Sequence, residues 1–252
     1  MSNSSNSNES VKDALASATR AIAKNPNLEI TFGSMVNHTA DSISFPNPPT
    51  KKNKLPEFRG KADAIACAKR YRKDNISFDS GSFKINSLMN QLEDIRVEIL
   101  GSKDFNGVHA NLKKRFEIKC ITSEIDNNQE EALPIALEGW LRQILLKEKS
   151  SKASSRYLEP WKNIFNSKAS IFIKELEDAL ENQGEFSKVA KKLLHALKIE
   201  DLSPEDQELP EHDPEQPEEK SDENDPEENE SSPENSSSED VDNEGEIQES
   251  RS

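Results

Sequence analysis

Apolar residues recur at helical spacing through most of the first 200 positions of this chain and then stop. The clearest run lies at 83–100, where Ile85, Leu88, Met89, Leu92, Ile95 and Ile99 follow one another at intervals of three and four and fall on one stripe of a helix. Similar stripes predict helices at 133–147 (Leu137, Trp140, Leu141, Ile144, Leu145), 159–181 (Trp161, Phe165, Phe172, Leu176, Leu180) and 185–199 (Phe186, Val189, Ala190, Leu193, Leu194, Leu197). Pro134 and Pro160 suit the first turns of two of these, because a first-turn residue has no intrahelical partner for its N–H. Asn182-Gln183-Gly184 separates the last two. Ala62, Ile65, Ala66 and Lys69 share a face of a further helix at 61–73. Residues 108–120 are ambiguous: Phe116, Ile118 and Cys120 alternate like a strand, while Leu112 and Phe116 also fit a helix.

Nearer the N-terminus, Ser10 with Asp13 three residues on predicts a capped helix over 10–24, stopped by Asn25-Pro26-Asn27. Leu28-Glu29-Ile30-Thr31-Phe32 alternates with period two and predicts a short strand ended by Gly33. From 37 to 59, prolines at 46, 48, 49 and 56 and few apolar anchors predict an extended surface loop. Gly101 either ends the 83–100 helix or lets another element cross it closely. The expected fold is mainly α: a multi-helix amino-terminal body with at most a minor β element.

Charge changes this picture at one place. Residues 201–252 hold 22 Asp/Glu against Lys220 and Arg251, a net charge of −20, whereas the first 200 residues carry +5. The same segment has no aromatic residue and six of the thirteen prolines. It cannot bury enough apolar surface to offset its ordering entropy, so the expectation is a disordered acidic tail. The predicted organisation is a disordered N-terminus at 1–9, a helical body at 10–200 and the tail or linker at 201–252. Cys67 and Cys120 make no disulfide framework and predict reduced thiols. With no signal-peptide pattern and no run long enough to span a bilayer, the expected location is the cytoplasm, away from membranes.

Candidate chemistry is sparse. Gly60-Lys61 is followed by Ala62 and lacks the upstream glycine of a phosphate-binding loop. Asp41-Ser42-Ile43-Ser44 and Asp79-Ser80-Gly81-Ser82 approach the Asp-x-Ser-x-Ser pattern of a metal-ion-dependent adhesion site, but both miss its register. His38, His109, His195 and His212 have no metal-ligand spacing, and His195 and Cys67 read as packing residues. The body lacks the basic stripe with interleaved aromatics expected of a nucleic-acid binder, and the tail would compete with nucleic acid. Arg96 stands apart, because it falls inside the apolar stripe of the 83–100 helix. A buried guanidinium needs a partner, and Glu93 one turn earlier is the natural one; the alternative is that Arg96 reaches across a subunit interface.

Three blocks occur in order. The first is Ala18-Thr19-Arg20-Ala21-Ile22-Ala23 with Pro26 and Leu28-Glu29-Ile30-Thr31-Phe32. The second is Pro48-Pro49 leading to Arg59-Gly60-x-Ala62-Asp63, and the third is Glu93-x-x-Arg96-Val97-Glu98-x-x-Gly101 continuing into Gly107-Val108-x-x-Asn111-Leu112. Together they resemble the amino-terminal region of the CobT subunit of aerobic, ATP-dependent cobaltochelatase. The resemblance implies a non-catalytic subunit of a complex that inserts Co2+ into hydrogenobyrinic acid a,c-diamide. It implies a hetero-oligomeric ring in which an AAA+ ATPase subunit (CobS-like) hydrolyses ATP with Mg2+ and a large subunit (CobN-like) holds cobalt and the corrin ring. This chain would itself bind no cofactor and carry no catalytic residue, and Glu93, Arg96 and Glu98 are the expected contacts with the ATPase. The family continues after its acidic linker into a von Willebrand factor A domain. The expectation here is therefore a truncated or split version. From charge alone, an acidic-tailed chaperone or adaptor for basic proteins is the competing expectation.

Overall fold

The computed structural model describes the backbone of residues 2–34, 36–73, 82–127 and 130–198, and side chains from residue 8 onward within those ranges. The expected acidic tail at 201–252 lies outside the described residues. Within them the fold is mainly α, with one small sheet.

Helix α1 spans Ser2–Ala23, so it starts well before Ser10, which is interior and caps nothing. Val11, Leu15 and Ile22 anchor its C-terminal part, and once a helix is nucleated each further residue costs little to add. It stops where Lys24 turns left-handed at φ 54°, with Asn25 N–H donating to Arg20 O at 3.1 Å. Strand β1, Glu29–Gly33, follows as predicted.

The expected surface loop is instead half of a sheet. β2 (Asn37–His38) and β3 (Ser42–Pro46) join β1 in the order β1-β3-β2, with β1 and β3 parallel and in register at Ile30↔Ile43 and Phe32↔Phe45. Ile43 and Phe45 are 0% and 2% exposed and pack with Leu15, Leu28, Phe58 and Ala62. The prolines just after β3 obscured a two-residue alternation too short to stand out. They also confine β3 to five residues, since proline cannot donate to a ladder.

Helix α2 runs Leu55–Tyr71, six residues longer at its start than the apolar pattern predicts, with Pro56 in its first turn. Helix α3, Phe83–Asp104, is capped by Ser82, whose hydroxyl accepts from Ile85 N–H. Its residues 95–102 are all buried, between α2, α4 (Asn106–Thr122), α5 (Leu133–Leu145) and α9 (Gln183–Ala196). Helix α4 resolves the ambiguous 108–120 segment: Val108, Leu112, Phe116 and Cys120, spaced by four, form its buried face.

The single helix expected at 159–181 is broken into pieces. Helix α6 (Lys152–Leu158), begun by a reciprocal Ser151/Ser154 capping pair, precedes it and was not predicted. After α7 (Lys162–Ile164) comes a π turn at Phe165–Ala169, a 3-10 turn, and then α8 (Ile173–Asp178). The wide turn seats Phe165 between Trp140 and Trp161, at ring-centroid distances of 5.3 and 6.3 Å. Asn182 ends the irregular stretch by capping α9 through Gly184 N–H and Glu185 N–H. The largest apolar core lies between α3, α5, the 165–180 segment and α9. No helix among the described residues is long and apolar enough to cross a membrane.

Candidate functional site

Helices α2, α3 and α4 meet where their smallest residues lie. A methyl group on Gly60 would sit 2.7 Å from both the Asn111 carbonyl oxygen and Arg115 Cβ, so α2 and α4 touch backbone to backbone. Gly101 is interior to α3 and ends nothing; its open side is filled by Cys67 Sγ of α2, so of the two expectations close crossing holds. Asn111 Nδ2 donates to Asp63 Oδ2 at 2.7 Å beside the Gly60 contact. Burial pushes the Asp63 carboxyl above its ordinary value, and the Asn111 hydrogen bond and the Arg59 charge only partly offset that. The motif residues of the second and third sequence blocks thus share one junction. Arg20 of the first block ties its own α1 to the start of β1, donating from Nε to Leu28 O at 2.9 Å.

Buried charge crosses the same junction. Arg96 is 1% exposed and Glu93 3%. Arg96 donates through Nε and Nη2 to the two Glu93 oxygens at 2.7 and 2.8 Å, the internal pair that the apolar stripe called for. The rest of the guanidinium donates to backbone: Nη1 to Leu180 O and Nη2 to Tyr71 O, both at 2.7 Å. One side chain therefore fastens α3 to the end of α2 and to the turn before α9, and the planar fork allows it to satisfy all three partners at once.

Glu98, two residues on, is also buried. Arg115 of α4 donates to it, and Arg142 of α5 approaches to 3.7 Å. Burial pushes the Glu98 carboxyl up; Arg115 and Arg142 pull against it, while Glu138 adds to the upward push. Arg142 continues the chain of charges to Glu148 at 2.9 Å, and Lys119 meets Glu138 at 2.8 Å. Of this network, sequence reasoning paired Glu93 with Arg96 and named Glu98 only as a contact residue; it did not foresee the ion pairs of Glu98, Arg115, Lys119, Glu138, Arg142 and Glu148. Arg115 and Lys119 pair with carboxylates on other helices, 17 and 19 residues away, while Arg142 and Glu148 are only six apart. The available signal was Glu138 and Arg142, one turn apart in the mainly apolar helix α5.

The arrangement holds helices together and offers little to a substrate. Burial pushes the Cys67 and Cys120 thiols up to about 12, so neither is a nucleophile at neutral pH. Among the described residues no three His, Cys, Asp or Glu side chains are grouped to hold a metal ion. Gly60-Lys61 lies in the interior of α2 and forms no loop. Ser42 and Ser44 belong to β3, and His195 is exposed on α9. The second adhesion-like sequence, at 79–82, falls mostly outside the described residues.

No solved structure matches the chain. Over 176 residues it is 27% identical to Reticulocyte-binding protein 2 of Plasmodium vivax (strain Belem), a stretch covering 69% of this chain and 6% of that protein. The chain thus spans a small fraction of that relative's length, and nothing of the relative's role is carried over. The family model described as "Cobalamin biosynthesis protein CobT" matches residues 5–252. With that match running almost from end to end, the chain belongs to the CobT family of cobalamin biosynthesis proteins.

Proposed function

We propose that the chain is a non-catalytic subunit of the ATP-dependent cobaltochelatase that inserts Co2+ into hydrogenobyrinic acid a,c-diamide. In this reading the helical body docks on an AAA+ ATPase subunit within a hetero-oligomeric ring in the cytoplasm. The ATPase hydrolyses ATP with Mg2+, a large subunit holds cobalt and corrin, and this chain couples the two. The family match over residues 5–252 carries the reading. It is supported by the meeting of the family-like blocks at the α2–α3–α4 junction, which is built as a rigid framework. Because Glu93, Arg96 and Glu98 are buried, their part in docking is to hold α3 in place; the surface around them makes the contact.

The test is co-purification of the full chain with the AAA+ subunit in ATP and Mg2+, with the product sized by light scattering. A large complex that depends on nucleotide is the expected result, and makes cobalt insertion the next assay. A chain that stays alone and ignores the ATPase overturns the proposal. Salt-sensitive capture of many unrelated basic proteins would then favour the acidic adaptor, for which the −20 charge of residues 201–252 speaks.

A further inference from the structure

A groove of about 570 Å³ opens between the β2–β3 turn and helices α2, α3 and α4, large enough for a sizeable ligand. Its floor is apolar and low, formed by Ala64, Ile65 and Ala68 of α2 and Val97 of α3. Lys61, Lys69, Arg72 and Arg115 stand around it and so, among the described residues, do two carboxylates, Asp94 and Glu98. Both carboxylates are already engaged, Asp94 by Arg72 and Glu98 by Arg115 with Arg142 behind it. Among the described residues Lys69 reaches the carbonyl oxygens of Thr39 and Ala40, which carry no compensating charge. Lys61 is 62% exposed and pairs with Glu57 one turn back, an exposed contact of the kind worth little. Arg72 Nε is buried without a hydrogen-bond partner among the described residues, with Glu93 Oε1 at 3.9 Å. The groove therefore has surplus positive charge over an apolar floor.

We propose that this groove binds an extended acidic peptide segment of a partner protein. Small floor residues let a peptide backbone approach closely, and the cationic rim suits Asp or Glu side chains at alternate positions. His38 and Ala40 line the groove, and β2 is one of the two edge strands of the order β1-β3-β2, which gives an added strand a place to pair. Nucleic acid fits poorly, because two carboxylates stand in the wall and, among the described residues, no Phe, Tyr or Trp lines the groove for a base to stack on. The proposal goes beyond the chelatase reading and does not depend on it.

The test uses the full chain and a fluorescent decapeptide of alternating Glu and Val, followed by anisotropy, with the Gln–Val peptide as the uncharged control. The Glu peptide should bind and the Gln peptide should not. Lys61→Glu should weaken binding about tenfold, as opposite charges across an interface become like ones. Lys188→Glu, an equal charge change on the exposed face of α9, should alter it less than about twofold if distant surface charges are screened. Lys69→Gln should reproduce the loss in milder form. Every arm keeps residues 201–252, so their charge is constant. Equal weakening by Lys61→Glu and Lys188→Glu would show general polyelectrolyte attraction and overturn the proposal. So would displacement of the peptide by millimolar inorganic phosphate at constant ionic strength, which would mark a small-anion site, or absence of binding by the Glu peptide.

Discussion

At the scale of single residues, Arg96 and Asp63 show opposite consequences of burying charge. Arg96 is paired and every nitrogen of its guanidinium is hydrogen-bonded, so removing it strands Glu93 and two carbonyl groups. Arg96→Ala should therefore cost about 3–5 kcal/mol in urea unfolding, the usual range for breaking a buried pair, and Arg96→Met should cost less if it fills the same volume. A loss below about 1 kcal/mol for the alanine variant would mean the pair holds little. Among the described residues Asp63 has no cation within salt-bridge reach, and burial holds its carboxyl above the ordinary 3.8. The native state thus holds this proton more tightly than the unfolded chain does. The resulting stabilisation is present below the unfolded value and is lost as pH rises through the raised one. Asp63→Asn keeps an oxygen for Asn111 and removes that loss. It should raise the melting temperature at pH 7, leave it little changed near pH 3, and flatten the dependence between. A variant less stable than the parent at pH 7 would show that the charged form is the preferred one.

At the scale of elements, legibility followed the length of the apolar pattern. Helix α3 could be read because its stripe extends over several turns, and the Glu93–Arg96 pair could be read because both residues lie on it. Sheet strand β3 could not, because Ile43 and Phe45 supply one alternation before Pro46. The 159–181 segment misled for a different reason. Trp161, Phe165, Phe172 and Leu176 keep helical spacing on average, but seating Phe165 against Trp140 takes a wide turn flanked by tight ones, which tertiary packing imposes. Helix α9 follows directly on that irregular stretch, so its start depends on its cap. Asn182→Ala leaves Gly184 N–H and Glu185 N–H without their acceptor and should destabilise the body by about 1 kcal/mol. Chemical denaturation measures this, and an unchanged midpoint would show that water replaces the cap at no cost.

At the scale of the whole molecule, the sequence divided the chain by charge and the family match spans that division. The chelatase reading separates two properties that a polyelectrolyte adaptor would join: assembly by the body and charge in the tail. A chain ending at residue 200 should assemble with the ATPase in the same stoichiometry as the full chain, checked by light scattering. Loss of assembly on that deletion would assign docking to the acidic residues. Gly60 and Gly101 bear on what the body could do once docked. Where side chains meet, a small shove is absorbed as a change of rotamer; where backbone meets backbone or a buried sulfur, there is no such slack. The three helices consequently resemble a welded truss more than a spring. A load applied at one of them is delivered at the others with almost no lost motion.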